Sequence, residues 1–243
     1  MPKQLTPFRW KNCRADVMTS KHDLTIMSYF HDVVVPAIKA LNRKVEELRC
    51  SENPAEAAFA YPDMLKILQE SKLAFGLSIQ SIWERQLRTY LRECAGELRP
   101  GEPVHAKIED ASWKELRSWF EELRGIALER FPSFEALNTL HHIGNACRHG
   151  DGKSAKILAK KCPDLWPELR SDQAAIPSDR TVAQMEFSVD RLRSFVEAIA
   201  EFWRDTEYIY NESIERKHPS LEARLVAERM ERSWLPQVCD GKT

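Results

Sequence analysis

The stretch of this sequence best equipped for chemistry is His141 to Gly152, which reads HHIGNACRHGDG. Imidazoles carry protons near neutral pH, a carboxamide can orient a partner, and a guanidinium grips a phosphate at two points. Placed on a helix at about 100° per residue, Asn138, His141, His142, Arg148 and His149 all fall within about 60° of Asn145. Ala136, Leu140, Ile143 and Cys147 point to the opposite side. One stripe is therefore polar and the other apolar. The polar stripe runs into the helix C-terminus, whose partial negative charge favours a protonated histidine and the Arg148 cation.

Just beyond it, GDGKSAKILAKK places Lys153, Lys156, Lys160 and Lys161 on a short basic segment. Such a local surface suits an anionic ligand even on a chain of net charge −1. The same residues also fit a solvated helix end with a glycine cap and lysines that serve solubility. Exposed faces, however, usually carry Glu, Lys and Gln rather than His, Asn and Arg.

The elements that must position this stripe are helical. Hydrophobic residues make up 43% of the 243 and charged residues 30%, a globular profile with ample material for a core. Only 8 glycines are present, which argues against long phosphate-binding loops. The six cysteines, Cys13, Cys50, Cys94, Cys147, Cys162 and Cys239, show no paired spacing. That argues against both a zinc ribbon and a disulfide framework and suggests a reducing compartment. No signal peptide and no apolar run of spanning length are expected, so the expected setting is cytoplasmic, without a membrane partner.

After Ser20 the pattern predicts a first helix to Cys50, kinked or split by Pro36. SENPAEAAFAYPD reads as a connection, followed from Asp63 by a long helix ended by RPGEP. Asp110 or Ser112 caps the next helix, and Pro132-Ser133 opens the one that ends on Gly150. A short basic helix follows, then a possible extended piece around Val182 within AAIPSDRTVAQMEFS. Ser188 caps the last core helix, and PSLEARLVAERMERSWLP reads as a charged terminal helix. Its thin apolar trace, Leu221, Leu225, Met230 and Trp234, is expected to dock or to fray. The fold class expected is all-α, an up-and-down helical bundle with helical N- and C-terminal extensions. Residues 1–60 would pack on the bundle, 61–215 would form it, and 216–243 would be the tail.

A bundle whose penultimate long helix ends in Asn-x-x-x-His-Gly resembles a HEPN domain, over roughly Tyr61 to Tyr210. The Gly-Asp-Gly, the basic helix and PDLW are similar to a subgroup found among uncharacterised bacterial proteins. The resemblance implies a dimer that brings two copies of the motif together. It also implies a metal-independent endoribonuclease of a toxin or phage-defence system, with RNA as substrate and an antitoxin or defence subunit as possible protein partner. A catalytically degenerate scaffold that binds RNA, a nucleotide or a protein is the alternative. The family's Asn and His carry over to Asn145 and His149. Its Arg does not, because the corresponding positions hold His142, Ile143 and Gly144; Arg148 lies on the correct face one turn later.

Cleavage without a metal needs a base for the 2′-OH and a cation for the developing phosphorane charge. His149 is the expected base, with Asn145 orienting it or holding a phosphate oxygen. Arg148 would clamp the phosphate and His142 would be a second proton carrier. His141, Lys153, Lys156 and Lys160 would line the RNA backbone. No cofactor and no metal are expected: FHD at Phe30–Asp32, with His22, is similar to a metal phosphohydrolase pair but lacks further ligands. Walker, dinucleotide and Ser-His-Asp signatures are absent from the sequence.

Overall fold

A computed structural model describes residues 7–167 and 181–236, and every regular element among them is helical. The protein is all-α, a helical bundle. α1 (Arg14–Met18) and α2 (His22–Ser28) lead through a π-helical turn, Tyr29–Val34, into α3 (Val35–Arg49). The break expected at Pro36 thus takes the form of a wider turn just before it. Pro36 has no N–H for the Asp32 carbonyl, and the Val35 N–H reaches back to Phe30 O. Packing gains from this widening. Ile26, Phe30, Val34 and Ile38 recur every four residues and are all buried; an unbroken helix of 3.6 residues per turn would rotate each about 40° from the last.

Three expectations are corrected. By length and composition Arg14–Arg49 does qualify as a candidate membrane-spanning stretch; it is interrupted at residues 19–21 and by the π turn. Second, SENPAEAAFAYPD is not a connection, because α4 (Pro54–Leu98) is helical for 45 residues from its first proline. Pro54 sits in the first turn, where no N–H is needed, and Ala-Glu-Ala-Ala-Phe-Ala is a strong helix-forming run. Pro62 then lies inside the helix without ending it.

Further along, α5 (Val104–Glu109) was not anticipated by the pattern. α6 (Trp113–Arg124) opens on Ser112, whose Oγ accepts from the Glu115 N–H at 3.4 Å, while Glu115 Oε2 accepts from the Ser112 N–H at 2.7 Å. α7 (Phe134–His149) and α8 (Lys153–Lys161) stand where periodicity put them. α9 (Val189–Ser213) is capped by Ser188 Oγ, which accepts from the Arg191 N–H at 3.0 Å, and α10 is Pro219–Glu231. The third correction is at Val182. Val182–Gln184 is a 3-10 turn, not an extended piece, pinned by the Val182 N–H donating to Asp151 Oδ1 at 2.6 Å. The part of that stretch at 174–180 lies outside the described residues.

Packing divides the chain into two compact units: Met1–Asp23 with Arg85–Glu135 and Ala200–Thr243, and Leu24–Glu84 with Ala136–Ile199. α4 and α9 each contribute to both units.

The first unit has an aromatic core. The Phe131 and Phe202 rings are 5.0 Å apart, Phe120 is 5.7 Å from Phe131, and Trp203 meets Tyr90 edge-on at 5.7 Å. Both terminal arms join this unit. The Trp10 N–H donates to Ser213 Oγ at 2.9 Å and the Phe8 N–H to Pro236 O at 3.0 Å. α10 is docked rather than frayed. Leu225 is buried, Arg229 reaches Glu212 at 2.6 Å, Arg232 reaches Asp205 at 2.5 Å, and Trp234 packs on Phe131 at 5.1 Å. Met230 leaves the expected trace, 85% exposed, since five residues carry it about 140° round the helix from Leu225.

The second unit buries Ile79 and Trp83 of α4, Leu137, Leu140 and Ile143 of α7, and Leu192, Phe195 and Ile199 of α9. Trp166 is sealed beside them, its indole N–H donating to Thr181 O at 2.8 Å. This unit positions the histidine stripe.

Candidate functional site

One close approach sets the position of α7. Gly144 faces Gln80 of α4 so tightly that a Cβ at 144 would stand 2.6 Å from Gln80 Cγ. A side chain there would displace the Gln80 side chain from its place between the helices. Leu137, Leu140, Ile143 and Ala146 are buried on the same side of the helix and fix its rotation. The polar stripe consequently faces away from the core. His141, His142 and Asn145 are half-buried, whereas Arg148 and His149 are exposed. Gly150, at φ 71°, ends α7 with its N–H on Ala146 O at 2.8 Å. Gly152 then begins α8 without a side-chain cap.

The expected site residues sort into distinct neighbourhoods. On one flank, Arg148 Nη2 donates to Gln80 Oε1 and also lies 3.4 Å from Ser81 Oγ, tying the guanidinium to α4. On the other flank, His142 Nδ1 is 3.4 Å from Ser154 Oγ in the first turn of α8. Between them, Asn145 Nδ2 meets His141 Nε2 at 2.9 Å. Asn145 therefore braces His141, where the sequence suggested that it orients His149. His149 stands on the last turn with no hydrogen-bond partner among the described residues. Lys153, Lys156 and Lys160 are all exposed on α8, spaced to share one side.

Electrostatics ties α8 to the stripe. The His142 imidazole is held below its ordinary value, first by burial and then by the positive charges of Lys161 and Lys153. It is neutral at pH 7 and can accept a proton. Cys147, on the buried edge of the same helix, is pushed up to about 11, chiefly by burial, and is no nucleophile at neutral pH.

Sequence reasoning missed Gln80, Ser81 and Ser154, which hold Arg148 and His142. Gln80 did leave a signal: it lies seven residues from both Leu73 and Leu87, on the apolar stripe of α4. A polar residue at a core position implies a buried hydrogen bond. Gln80 is indeed buried, and its Nε2 also donates to Glu84 Oε2 at 2.5 Å. In the same unit, a groove of about 580 Å³ is lined by Leu65, Lys66, Gln69, Trp166, Gln184 and Glu186. None of the expected site residues lines it.

Comparison of the chain with protein-family models, curated proteins and solved structures finds no match. The functional reading therefore stands on the residues and their geometry alone.

Proposed function

We propose that the surface formed by the end of α7 and the start of α8 binds the phosphate backbone of RNA and cleaves it without a metal, in the manner of a HEPN-type endoribonuclease. The observation that carries this reading is the run of nitrogen groups along the outer face of α7, which at His142 meets the lysine-bearing start of α8, a start with no side-chain cap. His142 touches Ser154, Lys153 and Lys161 act on it electrostatically, and His149 and Arg148 stand exposed one to two turns away. Free N–H groups at a helix start and nearby cations suit a phosphate. His149 is the proton carrier that removes the 2′-OH proton. Arg148, exposed though tied to Gln80, stabilises the charge that develops on the phosphate.

His142 and His149 are seven residues apart, about 10 Å along the helix axis, so they do not serve one phosphate within a single chain. Pairing of two chains, each contributing His149, fits the dimer that the sequence resemblance implies. The test is incubation of the purified protein with mixed RNA in EDTA. Cleavage that persists under chelation and is lost in His149→Ala supports the enzyme.

A second reading is favoured by a specific observation: Arg148 is engaged by Gln80 and Ser81, and Asn145 by His141. On that reading the surface binds RNA, a nucleotide or an acidic partner and cleaves nothing. Salt-sensitive RNA binding without cleavage, weakened by substituting Lys153, Lys156 and Lys160, supports it. Absence of both binding and cleavage defeats both readings.

A further inference from the structure

Cys13 and Cys94 are 81 residues apart in sequence, yet their Sγ atoms are 3.3 Å apart in the buried centre of the first unit. Cys13 immediately precedes α1, and Cys94 lies near the end of α4. Arg124 stands over both sulfurs, its Nη1 3.6 Å from Cys13 Sγ and 3.9 Å from Cys94 Sγ. That guanidinium favours the thiolate, the form that reacts, but its partner Asp16 opposes it at Cys13, so the lowering there comes first from the Cys94 contact. The two thiols differ. Cys13 retains 5% exposure and Cys94 none. Cys13 is held below its ordinary value, first by the hydrogen bond from Cys94, while that same contact and burial push Cys94 up. A disulfide needs the sulfurs at about 2.05 Å, so a gap of about 1.2 Å remains to be closed.

We propose that Cys13 and Cys94 are a reversible dithiol–disulfide pair that is oxidised by hydrogen peroxide and, once closed, staples the N-terminal segment to α4. The Cys13 thiolate attacks one peroxide oxygen, the O–O bond breaks, and the departing hydroxide takes up the Cys13 proton as water. Cys13 is then a sulfenic acid. The Cys94 sulfur attacks the Cys13 sulfur, the S–O bond breaks, and hydroxide leaves with the Cys94 proton as a second water. Two thiols lose two electrons and one peroxide becomes two waters. A dithiol such as dithiothreitol reverses the bond by exchange. The segment fastened in this way already pairs its Arg14 N–H with Glu97 Oε2 at 2.7 Å, so the staple reinforces an existing contact. Nothing in this step depends on the histidine stripe.

The test uses the full chain treated with a small excess of hydrogen peroxide, alkylated, digested without reduction and read by mass spectrometry. The expected result is a Cys13–Cys94 cross-linked peptide, two hydrogens lighter than its parts, that dithiothreitol removes. Closing so long a loop is expected to raise Tm by on the order of 5–10 °C. Cys94→Ser should leave Cys13 as a sulfenic acid captured by dimedone, and Cys13→Ser should leave Cys94 unoxidised. Should either variant fail to fold, the wild-type peptide map and melting curve decide alone. Persistence of both thiols while the exposed Cys50 oxidises overturns the pair, and a cross-link without a Tm rise overturns the staple.

Discussion

Arg124 and Arg148 carry the same guanidinium into opposite surroundings. Arg124 is sealed in the first unit. Its Nη2 meets Asp16 Oδ1 at 2.8 Å, its Nη1 meets Lys11 O at 3.1 Å, and its Cζ lies over the Trp10 ring, 3.9 Å from the ring centre. Tyr90 completes the cluster, its hydroxyl donating to Asp16 Oδ1 at 2.9 Å. Arg148, in the second unit, is exposed, and its described partners, Gln80 and Ser81, are neutral. A buried cation balanced by an acid is bound up in structure. An exposed cation whose partners carry no charge keeps its attraction for an anion.

The sharpest way to break this contrast is to remove each cation. Arg124→Met should cost about 3–5 kcal/mol in urea unfolding, because it strands the Asp16 carboxylate in the core. Arg148→Met should cost less, about 1–3 kcal/mol, because it leaves the buried Gln80 amide oxygen without its donor but strands no charge. Equal losses would erase the distinction between the two sites.

Asp205 sharpens the comparison because it is buried like Asp16 but only half satisfied. Arg232 holds one of its oxygens, while Oδ2 has no partner among the described residues. Burial raises its pKa from 3.8 to about 6, against the pull of Arg232. The folded chain therefore holds this proton more tightly than the unfolded chain. The contribution to stability is complete below 3.8 and is lost as pH rises through about 6. A decline on the order of 2–3 kcal/mol is expected across that window. Urea midpoints measured at pH 4, 5, 6 and 7 should reveal it, and Asp205→Asn should flatten that part of the profile.

Smaller effects probe the stripe itself. Gly144→Ala should destabilise by about 1–3 kcal/mol, since the new methyl meets Gln80 Cγ at 2.6 Å. The same substitution should loosen Arg148 by displacing its anchor, visible as weaker RNA binding. Replacing Lys153, Lys156 and Lys160 by Ala should leave the melting temperature nearly unchanged. It should also reduce the salt slope of single-stranded RNA binding by about 0.7 for each phosphate no longer neutralised.

Much of this fold was legible wherever the determining interaction is local. Ser112 with Glu115, Gly150 at the end of α7 and Ser188 before α9 announce helix ends within four residues of sequence. The stripe on α7 was legible for the same reason, as a matter of rotation about one axis. What failed depended on competition or distance. Pro62 has the look of a breaker, but a strongly helical run on its N-terminal side carries the helix through it. The four-residue spacing of Ile26, Phe30, Val34 and Ile38 held a clue to the π turn that an assumed period of 3.6 hides. Cys13 beside Cys94, Asp16 beside Arg124 and Gln80 beneath Arg148 join positions tens of residues apart. Pattern reading along a single chain carries no distance information of that kind.

The proposed role of His149 as proton carrier in metal-independent RNA cleavage comes down to one rate comparison. Wild type and His149→Ala, matched in melting temperature, are assayed on single-stranded RNA in EDTA. Cleavage by the wild type and a loss of about 10²–10⁴-fold in the variant are expected. Equal rates in the two proteins, or no cleavage by either, would contradict that role.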